Sequence, residues 1–215
     1  MTSDGKVVAP KKASKLWIYN SFGAAENPHS SYLVIRKIAK FDIRILDLSS
    51  QQLTFYQYQL LTASGTVEKV KLAVIEITDS NGFDVTFDKL FENLQNLKEF
   101  ELATYKTIPF EADTVAKMIE ILPRLKNLHQ LKLGKLEENF DFSLFSEYLM
   151  KNGTVDVRLE FRGYGLSDAY KAMLETFIDK IMKNRPKQIP LILFPQLNKI
   201  KLAKYKKIFN RQYKI

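Results

Sequence analysis

The chain has no cysteine. Disulfides, thiolate metal sites and cysteine nucleophiles are therefore excluded, and the composition fits a reducing compartment. Histidine is nearly absent too: only His29 and His129 occur, far apart along the chain. Without thiolates they are too few for a zinc site; His129 reads as a surface residue and His29 as a loop residue. Glycine is sparse, with 8 in 215 residues. No phosphate-cradling loop is spelled, since Gly163 and Gly165 in FRGYGL lack the spacing and the downstream lysine. They read as a turn between a strand and a helix. No nucleophile elbow or oxyanion signature accompanies the serines. The most apolar run, IPLILFP, is far too short to cross a bilayer. The first residues, MTSDGKVVAPKKASK, have no long apolar core to act as a signal peptide. The expectation is a cytoplasmic or nuclear protein that is not an enzyme and takes no cofactor, metal or small-molecule substrate.

Acidic residues are missing from the last stretch. Residues 198–215 carry seven cations and no acid, and residues 1–16 carry four lysines and one aspartate. Of the net charge of +9, residues 17–197 therefore hold only −1. The basic balance belongs to the two ends, and is not evidence that the body binds nucleic acid.

What the chain does have is a recurring apolar spacing. FDIRILDLSSQQL places Ile43, Leu46, Leu48 and Leu53 as LxxLxLxxxxL. The core of that pattern returns in VEKVKL, LKEFEL and LHQLKL, and its last two positions in VDVRLEF. KLWIYN and IPLILF are outlying candidates. The central apolar position falls at 16, 46, 70, 100, 131 and 157, with steps of 24 to 31 residues. Leucine-rich repeats run roughly 20–29 residues, with a strand and a helix in each. Between the strands, helical spacing is carried by Val115, Met118, Ile119 and Leu122, ending near Pro123. It recurs over Leu166–Ile181, with Ser167 and Asp168 as cap residues. Further helices are predicted at Phe87–Leu94 and Leu144–Leu149, and weaker ones at Leu53–Leu61 and Tyr32–Ile38. Asn81-Gly82 and Asn152-Gly153 supply turns. The asparagine that regular repeats place after the strand is replaced by Gln51, Ile75, Tyr105, Leu136 and Arg162.

The fold expected is α/β: an irregular leucine-rich-repeat-like solenoid of short parallel strands and helices. The alternative is an open parallel α/β sheet, doubly wound with helices on both faces, whose strands would be continuously apolar. Residues 1–15 form a basic segment expected to be disordered, 16–197 the α/β domain, and 198–215 a basic amphipathic helix.

With the repeats laid out, the chain resembles the nematode F-box-associated, leucine-rich-repeat-like proteins. The likeness rests on FDIRILDLSSQQLTFYQYQLLTASGTVEKVKL, on LPRLKNLHQLKL and on LSDAYKAMLETFIDKIM. It covers roughly residues 15–195. It implies a non-enzymatic role in protein recognition, with substrates presented for ubiquitin ligation. The F-box itself is not expected in the first 15 residues, which are too few and too polar for that helical module.

Two sets of residues are candidates for binding. The positions between the last two apolar residues of each strand are Trp17, Asp47, Lys71, Glu101, Lys132 and Arg158. Lys69, Glu99, Gln130 and Glu160 lie two residues away on the same face. In a stacked parallel sheet they line one surface about 4.8 Å apart, able to meet a protein partner or simply to form cross-strand ion pairs. The second set is Lys199, Lys201, Lys204, Lys206, Lys207 and Arg211. A basic helix of that kind can contact nucleic acid or a membrane, or it can cap the end of the array. Glu137, Glu138 and Asp141 form an acidic cluster that reads as a turn before a helix rather than a converging acid/base pair.

Overall fold

Alternation at period two dominates this chain: one side chain inward, the next outward. The computed structural model describes residues 16–25, 27–28, 35–36, 38–103, 110–163 and 165–213. The strands are β1 (Leu16–Ala24), β2 (Ile38–Ser49), β4 (Lys69–Ala73), β6 (Glu99–Ala103), β7 (Gln130–Leu136), β8 (Asp156–Phe161) and β9 (Leu191–Leu193). They lie in that order in one seven-stranded sheet, every pair parallel. Two short strands, β3 (Gln52–Thr54) and β5 (Glu76–Thr78), pair separately, also in parallel. The connections carry five helices: α1 (Phe55–Thr62), α2 (Thr114–Ile121), α3 (Phe142–Lys151), α4 (Asp168–Asn184) and α5 (Lys199–Arg211).

Two apolar rungs cross the sheet. Leu46, Val70, Phe100, Leu131 and Val157 are in register, as are Leu48, Leu72, Leu102, Leu133, Leu159 and Ile192. None of them is more than 4% exposed. They meet the inward stripes of the helices in a single core. Each such side chain contributes roughly 1.5–3 kcal/mol on leaving water. A run of edge-to-face phenylalanines ties the layers together: Phe87 meets Phe91 and Phe100, and Phe140 meets Phe110, Phe145 and Phe161. The other face of the sheet has no such cover. The strands are thus buried on one side only, unlike the continuously apolar strands of a doubly wound sheet.

Several helices start where the sequence places their caps. The Ser167 hydroxyl accepts from the Tyr170 N–H, and the Asp141 carboxylate accepts from the Leu144 N–H. Thr54 and Gln57 form a reciprocal capping box, so α1 begins at Phe55 and Leu53 belongs to β3. Three expectations need correction or fall elsewhere. Phe87–Phe91 is a five-residue 3-10 turn, not an α-helix. Its Thr86 makes no side-chain cap, and the chain turns at once through Glu92 and Asn93. Ile38 opens a strand, while residues 29–34 and 37, with the rest of that proposed helix and His29, lie outside the described residues. Pro123 stands in a 3-10 extension, Leu122–Arg124, that ends the helical segment.

The turns after the strands share one device. Ser50, Val74 and Lys135 all have positive φ, at 54°, 54° and 62°. The Ser50 N–H donates to the Ala73 carbonyl, and the Val74 N–H to the Ala103 carbonyl. Gln51 takes over the missing asparagine's work at the first of these turns. It is buried, and its amide donates to the carbonyls of Asn27, Ser49 and Ser50 at 2.7, 3.0 and 3.2 Å.

Burial of tyrosine makes the fold sensitive to alkali. Burial pushes the phenols of Tyr58, Tyr170 and Tyr205 well above their usual range, and those of Tyr148 and Tyr213 up to about 12. An unfolded tyrosine ionises near pH 10, roughly. The stabilisation is therefore complete below that pH and is lost as pH rises toward the folded values, because only the unfolded chain releases its protons. Tyrosinate absorbance should rise cooperatively, together with loss of the far-ultraviolet circular dichroism. Smooth ionisation of all tyrosines with the dichroism intact would contradict these burials.

Candidate functional site

The open face of the sheet is built from the side chains that alternate with the buried rungs. Asp47, Lys71, Glu101, Lys132 and Arg158 are in register across five strands and meet Leu191 on β9. A second row runs Lys69, Glu99, Gln130 and Asp156. Lys69 Nζ lies 2.7 Å from Glu99, and Lys132 Nζ lies 3.2 Å from Glu101. His129, exposed as expected, stands 3.9 Å from Glu99. The cross-strand pairs weighed from the sequence are thus present, each worth well under about 1 kcal/mol at such exposure. Asp47, Lys71 and Glu160 make no ion pair or side-chain hydrogen bond among the described residues.

A third row is small: Ser49, Ala73, Ala103 and Gly134 are in register. Where these side chains give out, a depression of about 270 Å³ opens over Ala103 and Gly134. Its rim is charged, with Glu101, Lys132, Arg158 and Glu160, and Leu191 and Leu193 form one wall. At the far edge of the sheet two aromatic residues stand in solvent, Trp17 at 61% and Tyr19 at 69% exposure. The Lys40 ammonium lies 4.5 Å from the Trp17 ring centre.

Trp17 does not sit on the rung assigned from the spacing. It pairs with Lys40, whereas Gly23 faces Asp47. Register shifts at Leu16/Trp17 and Asn20/Ser21, with Asn20 at φ 71°, slide β1 along the long β2. Tyr19 was missed, although Trp17 and Tyr19 at i and i+2 are the signal of one exposed strand face.

Arg158 is drawn into the structure rather than left for a partner. Its guanidinium binds Asp156 through Nε and Nη2, at 3.1 and 2.7 Å, and Asp156 is itself buried. Its other neighbour is the Phe209 ring of α5, 5.3 Å away. Near the start of the strands Glu68 bridges Arg44 and Lys98. Arg44 first, then Lys98, holds its carboxyl below the usual range.

Helix α5 closes the β9 edge. Tyr205 and Phe209 are buried, and Leu202 and Ile208 pack against the same core. The Tyr205 hydroxyl accepts from the Ile192 N–H and donates to the Pro190 carbonyl. The Gln212 amide accepts from the Ile189 N–H at 2.9 Å and donates to the Ile189 carbonyl at 3.0 Å. These groups stand in for a neighbouring strand, and so protect an edge that would otherwise pair with another chain. Of the six basic residues assigned to anionic surfaces, Lys201 is spent on Glu175 and Asp179 of α4, at 2.6 and 3.0 Å. Lys199, Lys204, Lys206, Lys207 and Arg211 are exposed.

The acidic cluster disperses. Asp141 caps α3, Glu137 pairs with Arg162 at 2.6 Å, and Glu138 accepts from the Ser167 N–H at the start of α4. No two of these carboxylates are turned to a common cleft by those bonds. Among the described residues no group of three or more His, Asp or Glu is placed to hold a metal ion, and no helix is long and apolar enough to cross a membrane. No protein-family model, no curated protein and no solved structure matches the chain.

Proposed function

We propose that this chain is a non-enzymatic protein-recognition module, and that its sheet is a divergent leucine-rich-repeat-like solenoid. The reading of the fold is supported by strand order that follows the chain without reversal and by the left-handed turn residue after β2, β4 and β7. The reading of the function is carried by one observation: helices cover one face of the sheet, while the other offers a charged ladder, a depression and two exposed aromatics. Concave strand faces are where solenoids meet partners, and exposed Trp and Tyr are the residue types that anchor such contacts. By the family resemblance, the partner would be a protein presented for ubiquitin ligation.

Arg158 is unsuited to a test because its loss leaves Asp156 buried and unpaired. Lys71→Glu with Lys132→Glu reverses the ladder without removing a buried partner. Affinity capture from nuclease-treated lysate should lose the bound protein with this pair of changes. Retention of the same protein at wild-type yield would reject the face.

A second reading rests on the exposed cations of α5, which could contact nucleic acid or an anionic membrane. Deleting the helix is uninformative, because it also strips the β9 edge. Lys204→Glu with Lys207→Glu leaves Tyr205 and Phe209 in place. If α5 is the site, binding falls steeply with added salt and disappears with these two changes.

A further inference from the structure

On the covered side of the sheet, away from the charged ladder, a groove of about 540 Å³ lies between α2 with its 3-10 extension and α3. That volume falls within the roughly 300–1,000 Å³ of small-molecule sites, which are apolar with a few polar groups at fixed places. The lining here has that character. Ile119, Leu122, Leu125, Leu128 and Leu144 form the apolar walls, and Tyr148 adds a ring with a polar tip. The Tyr148 hydroxyl has no hydrogen-bond partner among the described residues. Asn152, also in the lining, is fully used: its amide donates to the Val155 carbonyl and its oxygen accepts from the Thr154 and Val155 N–H groups.

The charge at the mouth is one-sided. Lys126 and Lys151 line the groove, and the Lys187 side chain lies over Gly153, its Nζ 3.8 Å from where a Cβ on that glycine would stand. Glu147 is the one acid in the lining. It reaches Lys151 at 3.7 Å, with both side chains more than two-thirds exposed. Such a pair holds the lysine weakly. The mouth therefore presents cations beside a cleft of leucines. The wall supplied by α2 is eight residues long, about 12 Å at 1.5 Å per residue. That length suits an alkyl chain and gives a docked helix only two turns of anchor.

We propose that this groove binds an anionic amphiphile, an alkyl carboxylate whose chain lies along the leucines and whose head meets Lys126, Lys151 and Lys187. The site is separate from the open face and does not depend on the recognition role proposed for it.

The test uses the full chain and a dansyl-labelled alkyl carboxylate, displaced by decanoate below its micellar range. The expected result is one saturable site per chain. Decanol should displace at least tenfold less well, since it lacks the charge. Lys126→Glu with Lys151→Glu should weaken decanoate at least tenfold and leave decanol unchanged. Leu144→Glu, at a position already partly exposed, should abolish both, with the melting temperature of the protein confirming that it is folded. Absence of saturable binding, equal displacement by decanol and decanoate, or full binding by the Leu144→Glu protein would each overturn the proposal.

Discussion

Tyr205→Ala is expected to lower the unfolding free energy by about 3–5 kcal/mol, as large aromatic deletions in cores do. Tyr205 is completely buried although it lies on the most basic helix of the chain. Its ring carries the contact between α5 and the sheet, and its hydroxyl occupies both the Ile192 N–H and the Pro190 carbonyl. Removal leaves a cavity and two unsatisfied backbone groups at the edge of a parallel sheet. Tyr205→Phe separates the two effects: the ring stays and the polar groups are orphaned, a loss of about 1–3 kcal/mol. The alanine protein should also self-associate, because β9 regains a free edge. Urea denaturation gives the free energies, and sedimentation gives the association. If Tyr205→Ala unfolds within about 1 kcal/mol of the wild type, α5 is not a cap and the arrangement around β9 is wrong.

The other large effect is expected at Phe140. This residue follows β7 in a connection, where a sequence reading gives no reason to expect a core position. Yet it is fully buried, with ring centres 5.1 Å from Phe110 and 5.2 Å from Phe145 in edge-to-face contact. Its carbonyl accepts a hydrogen bond from the Tyr170 hydroxyl of α4 at 2.5 Å. Phe140 thus joins the β7 connection, α3 and α4 at one point. Phe140→Ala should cost about 3–5 kcal/mol, a fall of roughly 10 °C in melting temperature for a chain of this size. Phe140→Leu, which keeps most of the apolar volume, should recover more than half of that. Equal losses in the two variants would mean that the ring contacts, rather than volume, decide the stability.

The strands were legible because an apolar pair at i and i+2 must face the same way. Wherever Leu, Val or Phe fell in that pattern, as at Val70 and Leu72 or Leu131 and Leu133, a strand was found with both residues buried. The pattern stops being informative where backbone irregularity intervenes. Two register shifts move Trp17 off its expected rung, and nothing in KLWIYN announces them. Spacing also cannot separate a 3-10 turn from an α-helix over five residues, which is why Phe87–Phe91 was misjudged. For the binding residues the limit is different. Residue type and face were readable, but pairing was not. Lys201 and Lys204 look alike in the sequence, and only the approach of α4 makes Lys201 a partner of Glu175 and Asp179. Arg158 likewise became a structural residue through a ring contributed from 51 positions later, Phe209.

The central claim is that the uncovered face of the sheet, and not the basic helix, is where this protein meets its partner. Placing a photo-crosslinking amino acid in place of Lys71 or, separately, in place of Lys207 tests it most directly. Both side chains are exposed and neither is part of the core. The account predicts a discrete, nuclease-resistant crosslink to one protein from position 71, and none from position 207. Crosslinks from position 207 alone, or adducts that vanish with nuclease, would contradict it.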